Sequence, residues 1–250
     1  MSIVKQKALY EKYHLKSKSQ NKIIGEKNFT YIKILSILNA FLTPSTRKIL
    51  DIGCGSGTIS FYLGSKGYRV SGIDISSKAI VSCTESTKRM GLKNVDFKLS
   101  NFPNDKIFGK YDFVFLSEVI EHLPNDILAL KKIYNLLSSQ GTLFLSTPSN
   151  NAPLYRWGLT KEFDKRVGHE RRYSINELSK KLKDANFNII KIYKSEGLLR
   201  NFLFVNPYAG KFIRYIKGPL VNMFSYADDF VVKIFGESQL IIIAKKATLK

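Results

Sequence analysis

The chain has 250 residues, 44% of them hydrophobic, with 40 lysines and arginines against 20 acids and only two cysteines. That length and apolar content suit one domain with a sizeable buried core, and two isolated cysteines exclude a disulfide framework or a cysteine zinc site. A net charge of +20 suits an anionic partner such as nucleic acid, an acidic membrane surface or a phosphorylated substrate, but the cations are scattered, so charge alone does not choose among these.

The stretch Met1–Lys18 is polar and lysine-rich and lacks the apolar core of a secretory signal. No segment is apolar enough for long enough to span a bilayer, and the lack of a disulfide framework leads us to expect a reducing, cytoplasmic location, with a peripheral membrane contact as an option. His14 reads as a solvated surface residue. Up to about Phe41 the segment reads as helical. Ile32, Leu35, Leu38 and Leu42 recur at spacings of three and four, an apolar stripe. Residues 1–42 form a helical cap in this reading.

From about residue 45 to residue 195, strand and helix signals alternate, which implies an α/β fold with a mostly parallel, doubly wound sheet. Strands are expected at Lys48–Ile52, Arg69–Asp74, Val95–Leu99, Asp112–Leu116 and Thr142–Thr147. Helices are expected at Thr58–Lys66, Ser77–Met90 and Asn125–Leu137. Ser174 with Glu177 is a capping box opening a helix to about Ala185. Phe187–Tyr193 and Ser238–Lys245 follow as a sixth and a seventh strand. Between them, residues 198–235 form an aromatic and basic insertion. Between Pro207 and Gly218, a helix would put Tyr208, Phe212, Tyr215 and Ile216 on one face and Lys211, Arg214 and Lys217 on another. Such a helix suits either a peripheral membrane contact or a cap over a pocket.

Three segments carry chemistry. After the first strand, Asp51 precedes Gly53, Gly55 and Gly57 at alternate positions, a tight turn into a helix N-terminus that can hold a nucleotide-like anion. The second strand ends in Asp74, roughly 20 residues on, where a ribose-binding acid belongs. The fourth lies within Lys110-Tyr111-Asp112-Phe113-Val114-Phe115-Leu116-Ser117-Glu118-Val119-Ile120-Glu121-His122-Leu123, which carries the pattern Glu118-x-x-Glu121-His122 after the strand. If residues 118–122 are helical, two carboxylates and an imidazole share one side and offer a divalent-metal site.

These segments, in this order and spacing, resemble the motifs of class I S-adenosylmethionine (SAM) methyltransferases, in the type 11 and type 23 groups around the ubiquinone-pathway O-methyltransferases. The resemblance implies a seven-stranded Rossmann-like sheet with its last strand antiparallel. It also implies SAM as cofactor, with Asp51, Gly53, Cys54, Gly55 and Gly57 around its methionine part. Asp74 falls on the ribose, Ile75 on adenine and Asn101 on the adenine amine, where many relatives place an aspartate. Phe102 and Ser117 complete the cofactor set. The E-x-x-E-H pattern, which accompanies a divalent cation in some relatives, points to Mg2+ on Glu118, Glu121 and His122. A metal-free alternative makes Glu121 a SAM contact or turn cap and His122 the general base. His169, in Gly168-His169-Glu170-Arg171-Arg172, is a further ligand or base, or else only satisfies a backbone group. Arg171 and Arg172 either grip an anionic acceptor or make structural pairs, Arg171 with Glu162 or Asp164. The implied reaction is methyl transfer to a hydroxyl oxygen of a small or lipid-linked acceptor, with RNA methylation as the alternative.

Overall fold

Seven strands, β1 (Lys48–Ile52), β2 (Arg69–Asp74), β3 (Val95–Leu99), β4 (Tyr111–Ser117), β5 (Leu137–Pro148), β6 (Phe187–Ser195) and β7 (Gln239–Lys246), pair into one sheet in the order β3-β2-β1-β4-β5-β7-β6. All neighbours are parallel except β7, which runs antiparallel to both β5 and β6. The structure is a computed structural model and describes residues 3–14, 19–206 and 208–247. Met1, Lys18, Pro207 and the Arg214 side chain, named above, lie outside the described residues.

The helices are α1 (Ile3–Tyr13), α2 (Ile32–Phe41), α3 (Thr58–Ser65), α4 (Ser77–Met90), α5 (Asp126–Leu136), α6 (Pro153–Arg156), α7 (Lys161–Val167), α8 (Ile175–Asp184), α9 (Leu198–Val205) and α10 (Pro219–Phe235). Successive strand residues face opposite sides of the sheet, so the near-continuous apolar runs of β1, β4, β5 and β7 feed two cores. Leu50, Ile52, Val114, Leu116, Leu143 and Leu145 pack with Leu130, Ile133, Leu178 and Leu182 of α5 and α8. Ile49, Phe113, Phe115, Phe144, Ile241 and Ile243 pack with Leu35 and Leu38 of α2 and Ile59 and Leu63 of α3. In α2 the buried set is Ile34, Leu35 and Leu38, with Ile32 and Leu42 only half-buried, so the stripe is rotated from the expected one.

Some boundaries differ from expectation. Helix α5 stops at Leu136, and β5 begins at Leu137 rather than Thr142. Leu137 has extended dihedrals (φ −71°, ψ 141°) and pairs with Tyr111, because its side chain joins the sheet core. Strand β6 runs two residues further, to Ser195. The helix expected between Pro207 and Gly218 is a shorter 3-10 segment, Ala209–Tyr215. It begins where the Asn206 side chain accepts hydrogen bonds from the N–H groups of Tyr208 and Ala209, a local alternative to a regular helical start.

Chain order reverses beside β1, with β2 on one side and β4 on the other. In open α/β sheets, ligands bind beyond the carboxyl ends of the strands at such a point.

Candidate active site

The cavity at that point has a volume of about 540 Å³, within the usual range for small-molecule sites. Asp51, Gly53, Cys54, Gly55, Asp74, Ile75, Phe102 and Ser117 all line it. The turn after β1 is held by hydrogen bonds from the N–H groups of Gly53 and Cys54 to the Ile73 carbonyl (2.8 and 3.0 Å). Gly53 has φ +73°, and a Cβ there would stand 2.3 Å from Val119 Cγ2, so both backbone and space require glycine. Gly57 is not at the cavity wall. A Cβ there would press on Cys83 and Phe61 at 2.9 Å, so its part is close packing of α3.

Asp74 Oδ2 accepts the Gly55 N–H (2.8 Å) and Oδ1 accepts the Ser76 N–H (2.9 Å). The carboxylate thus braces the turn, and each oxygen retains a second acceptor site. Asp51 accepts from Ser60 Oγ (2.6 Å), and burial pushes its carboxyl up to about 7. Asn101 does not line the cavity. Its Oδ1 accepts weakly from the Asn104 amide (3.4 Å), in a turn closed by Asp105. Its neighbours Ser100 and Phe102 do line it, and Ser100 Oγ is buried without a partner.

Helix α1 lies over the opening. Gln6, Tyr10 and His14 recur every fourth position along its inner side, while Lys5, Lys7 and Lys12 face outward. His14 is therefore not a solvated surface residue: it is 9% exposed and lies over Gly55, and burial lowers its pKa. Gln6 donates to the His122 carbonyl (2.8 Å). Glu11 accepts from the N–H groups of Ser77 and Lys78 at the start of α4 (2.7 and 3.3 Å), which latches the lid there.

At the other end of the cavity, the expected helical Glu118–His122 segment does not form. Glu118 has φ +54°, and a 3-10 turn spans Ile120–His122. Glu118 turns toward Ser146 and Gln239, accepting from each at 3.0 Å, so it leaves the proposed metal group. His169 takes its place: ligand atoms of Glu121, His122 and His169 lie within 4.8 Å of one another. Glu121 Oε2 accepts from Thr147 Oγ1 (3.0 Å). Its Oε1 has no hydrogen-bond partner among the described residues and lies 3.7 Å from His122 Nε2 and 3.9 Å from His169 Nε2. A hydrogen bond from the Glu170 N–H to the Glu121 carbonyl (3.2 Å) brings the later loop onto this turn.

The outer nitrogens fix the inner ones. His122 Nδ1 is 2.9 Å from the Gly168 carbonyl and His169 Nδ1 is 2.7 Å from Asp164 Oδ1. Each of those oxygens can only accept, so Nδ1 carries the proton and Nε2 presents a lone pair toward Glu121. Burial holds the His122 ring below its ordinary pKa, hence neutral, as a ligand must be. The same desolvation raises Glu121 to about 8. Asp164 falls to about 2, because His169, Arg172 and Thr160 donate to it against the cost of its burial. It is Arg172, not Arg171, that grips Asp164, at 2.6 Å from Oδ1. Arg171 pairs with Asp126 and Glu170.

A family model described as a methyltransferase domain matches residues 26–192. The chain belongs to the methyltransferase-domain family. The ubiquinone biosynthesis O-methyltransferase of Thiobacillus denitrificans is 32% identical over 111 residues, 44% of this chain and 47% of that protein. The protein of the same description from Pelagibacter ubique is 31% identical over 160 residues, 57% of this chain and 66% of the relative. The chain spans about half the length of the first curated relatives it matches. A Methanosarcina mazei structure described as a SAM-dependent methyltransferase is 25% identical with a TM-score of 0.59, covering 85% of this chain and 98% of that one.

The crevice of this methyltransferase fits SAM by its own chemistry. Asp74 and Asp51 both line it and can accept hydrogen bonds from hydroxyl or amino groups. The buried hydroxyls of Ser100 and Tyr10 have no hydrogen-bond partner among the described residues. The metal candidates likewise fit a cation, but their set is two imidazole nitrogens and one carboxylate oxygen. That donor set suits Mn2+, Fe2+ or Zn2+ better than Mg2+, which prefers oxygen. Sequence reading missed Tyr10, Ser100 and Glu196 in the wall. The fourfold spacing from Gln6 through Tyr10 to His14 was the available signal for the first.

Proposed function

We propose that the protein transfers the methyl group of SAM to a hydroxyl oxygen of a small or lipid-linked acceptor, with a divalent cation held by Glu121, His122 and His169. The observation that carries this reading is the unpartnered Glu121 Oε1 facing two tautomer-fixed Nε2 atoms beside the cofactor crevice. A bound cation supplies Lewis acidity, which lowers the pKa of an acceptor hydroxyl. The chain's own part is positional. Helix α1 covers the cofactor end, the turn after β4 sets Glu121, and Asp164 and Gly168 orient the two imidazoles, which would hold the cation that binds the acceptor oxygen.

A small acceptor is favoured over RNA by the wall itself. Among the described lining residues only Arg166 and Arg172 are lysine or arginine, against the four acids Asp51, Asp74, Glu118 and Glu196. A polyanion gains little there. The test is methyl transfer from radiolabelled SAM to catechols, vicinal diols, glycolipids and RNA, with and without EDTA. Metal-sensitive labelling of hydroxyl compounds supports the reading, and labelling of RNA alone overturns it.

The insertion supports a peripheral membrane contact as part of the same reading. Helix α9 lines the cavity through Asn201, Phe204 and Val205, whereas α10 presents Leu220, Met223, Tyr226, Phe230 and Ile234 outward. Met223, Tyr226 and Phe230 are 61%, 74% and 64% exposed. Of the insertion's two acids, Asp228 is buried and accepts the Gly197 and Arg200 N–H groups, and the part-exposed Asp229 is paired with Lys33. Lys211, Lys217 and Lys233 remain outside. The protein should sediment with phosphatidylglycerol vesicles and be released by salt, and Phe230→Asp should weaken binding roughly tenfold or more. Equal retention of the variant would exclude this face.

A further inference from the structure

We propose that Glu118, Glu196, Asn201, Ser238 and Gln239 form a subsite for a polyhydroxylated part of the acceptor, a sugar or cyclitol ring, which rests on the methyl-transfer reading above. All five line the cavity, and they arrive from three places: the end of β4, the start of α9 with the residues before it, and the start of β7. None belongs to the cofactor crevice or to the histidine cluster.

The argument starts from unmet acceptors. Gln239 donates its amide N–H to Glu118 Oε1 (3.0 Å), which fixes the amide and leaves Gln239 Oε1 buried with no partner. Asn201 Oδ1 and Ser238 Oγ are also buried without partners. These three residues are 6%, 8% and 4% exposed, so bulk water does not satisfy them. Buried polar groups are almost always hydrogen-bonded, and several orphans on one wall point to a missing ligand. Two of the three orphan atoms can only accept, so the ligand must donate at several points.

The acids strengthen the case. Glu118 and Glu196 both have left-handed backbones, at φ +54° and +57°, which non-glycine residues hold only when the surroundings impose it. Both side chains face the same space. Burial pushes each carboxyl up to about 7, so near neutral pH the pair can both accept and donate.

Three other occupants fit less well. A hydrocarbon tail would leave the acceptors unmet. An ammonium group would meet the buried Arg200 guanidinium, which already lies 3.9 Å from Glu196. An anion would face two carboxyls. Neutral hydroxyls on a ring remain, and Glu118 lines the same cavity as His122 and His169, so the ring and the histidine cluster share one space.

The test uses the full chain saturated with S-adenosylhomocysteine. Ligand-detected NMR measures saturation transfer to methyl β-glucopyranoside, myo-inositol and catechol. The ring protons of at least one polyol should receive saturation from the wild-type protein. Gln239→Leu and Asn201→Leu should each weaken that binding roughly tenfold, the loss of one buried hydrogen-bonded contact, while calorimetry shows S-adenosylhomocysteine affinity unchanged. Ser238→Ala serves where a leucine variant fails to fold. Polyol binding that is absent in the wild type, or equal in folded variants, overturns the subsite. Loss of S-adenosylhomocysteine binding in the wild type would instead sink the methyl-transfer reading.

Discussion

Asp74→Ala should raise the dissociation constant for SAM by roughly 100-fold or more. A carboxylate accepting from two ribose hydroxyls makes two charge-assisted bonds, each worth about 1.5–3 kcal/mol, and about 2.7 kcal/mol corresponds to 100-fold. The same carboxylate already holds the Gly55 and Ser76 N–H groups, so the turn after β1 also loosens. Unfolding should therefore shift by about 1–3 kcal/mol, the cost of leaving buried donors unmet. Asp74→Asn keeps an acceptor but loses the charge, and it should fall between. Calorimetry with SAM and thermal unfolding on the three proteins separate the two effects. Wild-type affinity in Asp74→Ala would remove this residue from the cofactor site.

Glu121→Gln should lower kcat about 1000-fold, with little change in SAM affinity. The substitution keeps the shape and the contact with Thr147 but removes the charge that a cation between Glu121 Oε1 and the two Nε2 atoms needs. Removing one charge-stabilising group from a preorganised site costs about 2.7–4 kcal/mol. pH makes the same point. The Glu121 carboxyl ionises at about 8 when folded, above its ordinary 4.5, so the folded state binds its proton more tightly than the unfolded state. Between those values the metal-free protein loses stability as pH rises. Cation binding expels the proton, so metal affinity should climb with pH up to about 8. Unfolding curves with EDTA and with Mn2+ should accordingly diverge as pH increases from 5 to about 8. Activity in Glu121→Gln equal to wild type, or curves that stay parallel, would leave His122 as a metal-free base.

The centre of the sheet was legible because β1, β4 and β7 and most of β5 are buried on both faces and read as apolar runs. That Asp51 and Asp74 line the cavity was legible because each stands at the carboxyl end of a strand, where an open α/β sheet places its crevice. The site's far end was less so. Glu118 was placed on the metal by assuming helical spacing, but its left-handed backbone turns it toward Gln239, a contact 121 positions away that no local pattern encodes. His169 entered the cluster through a backbone bond between Glu170 and Glu121, again non-local. Around His14 the lysines dominate composition, whereas its fourfold spacing from Gln6 and Tyr10 carries the burial. The outward face of α10 went unread because an apolar stripe ordinarily means core, and only the fold reveals which stripes lack a partner.

The central claim is that the crevice between β1 and β2, roofed by α1, holds a sulfonium nucleoside. Isothermal titration of the 250-residue chain with SAM tests it most directly. One saturable site per chain, competed by S-adenosylhomocysteine and not by NAD, is the expected result. No heat with SAM, or preferential binding of a dinucleotide, would contradict the account.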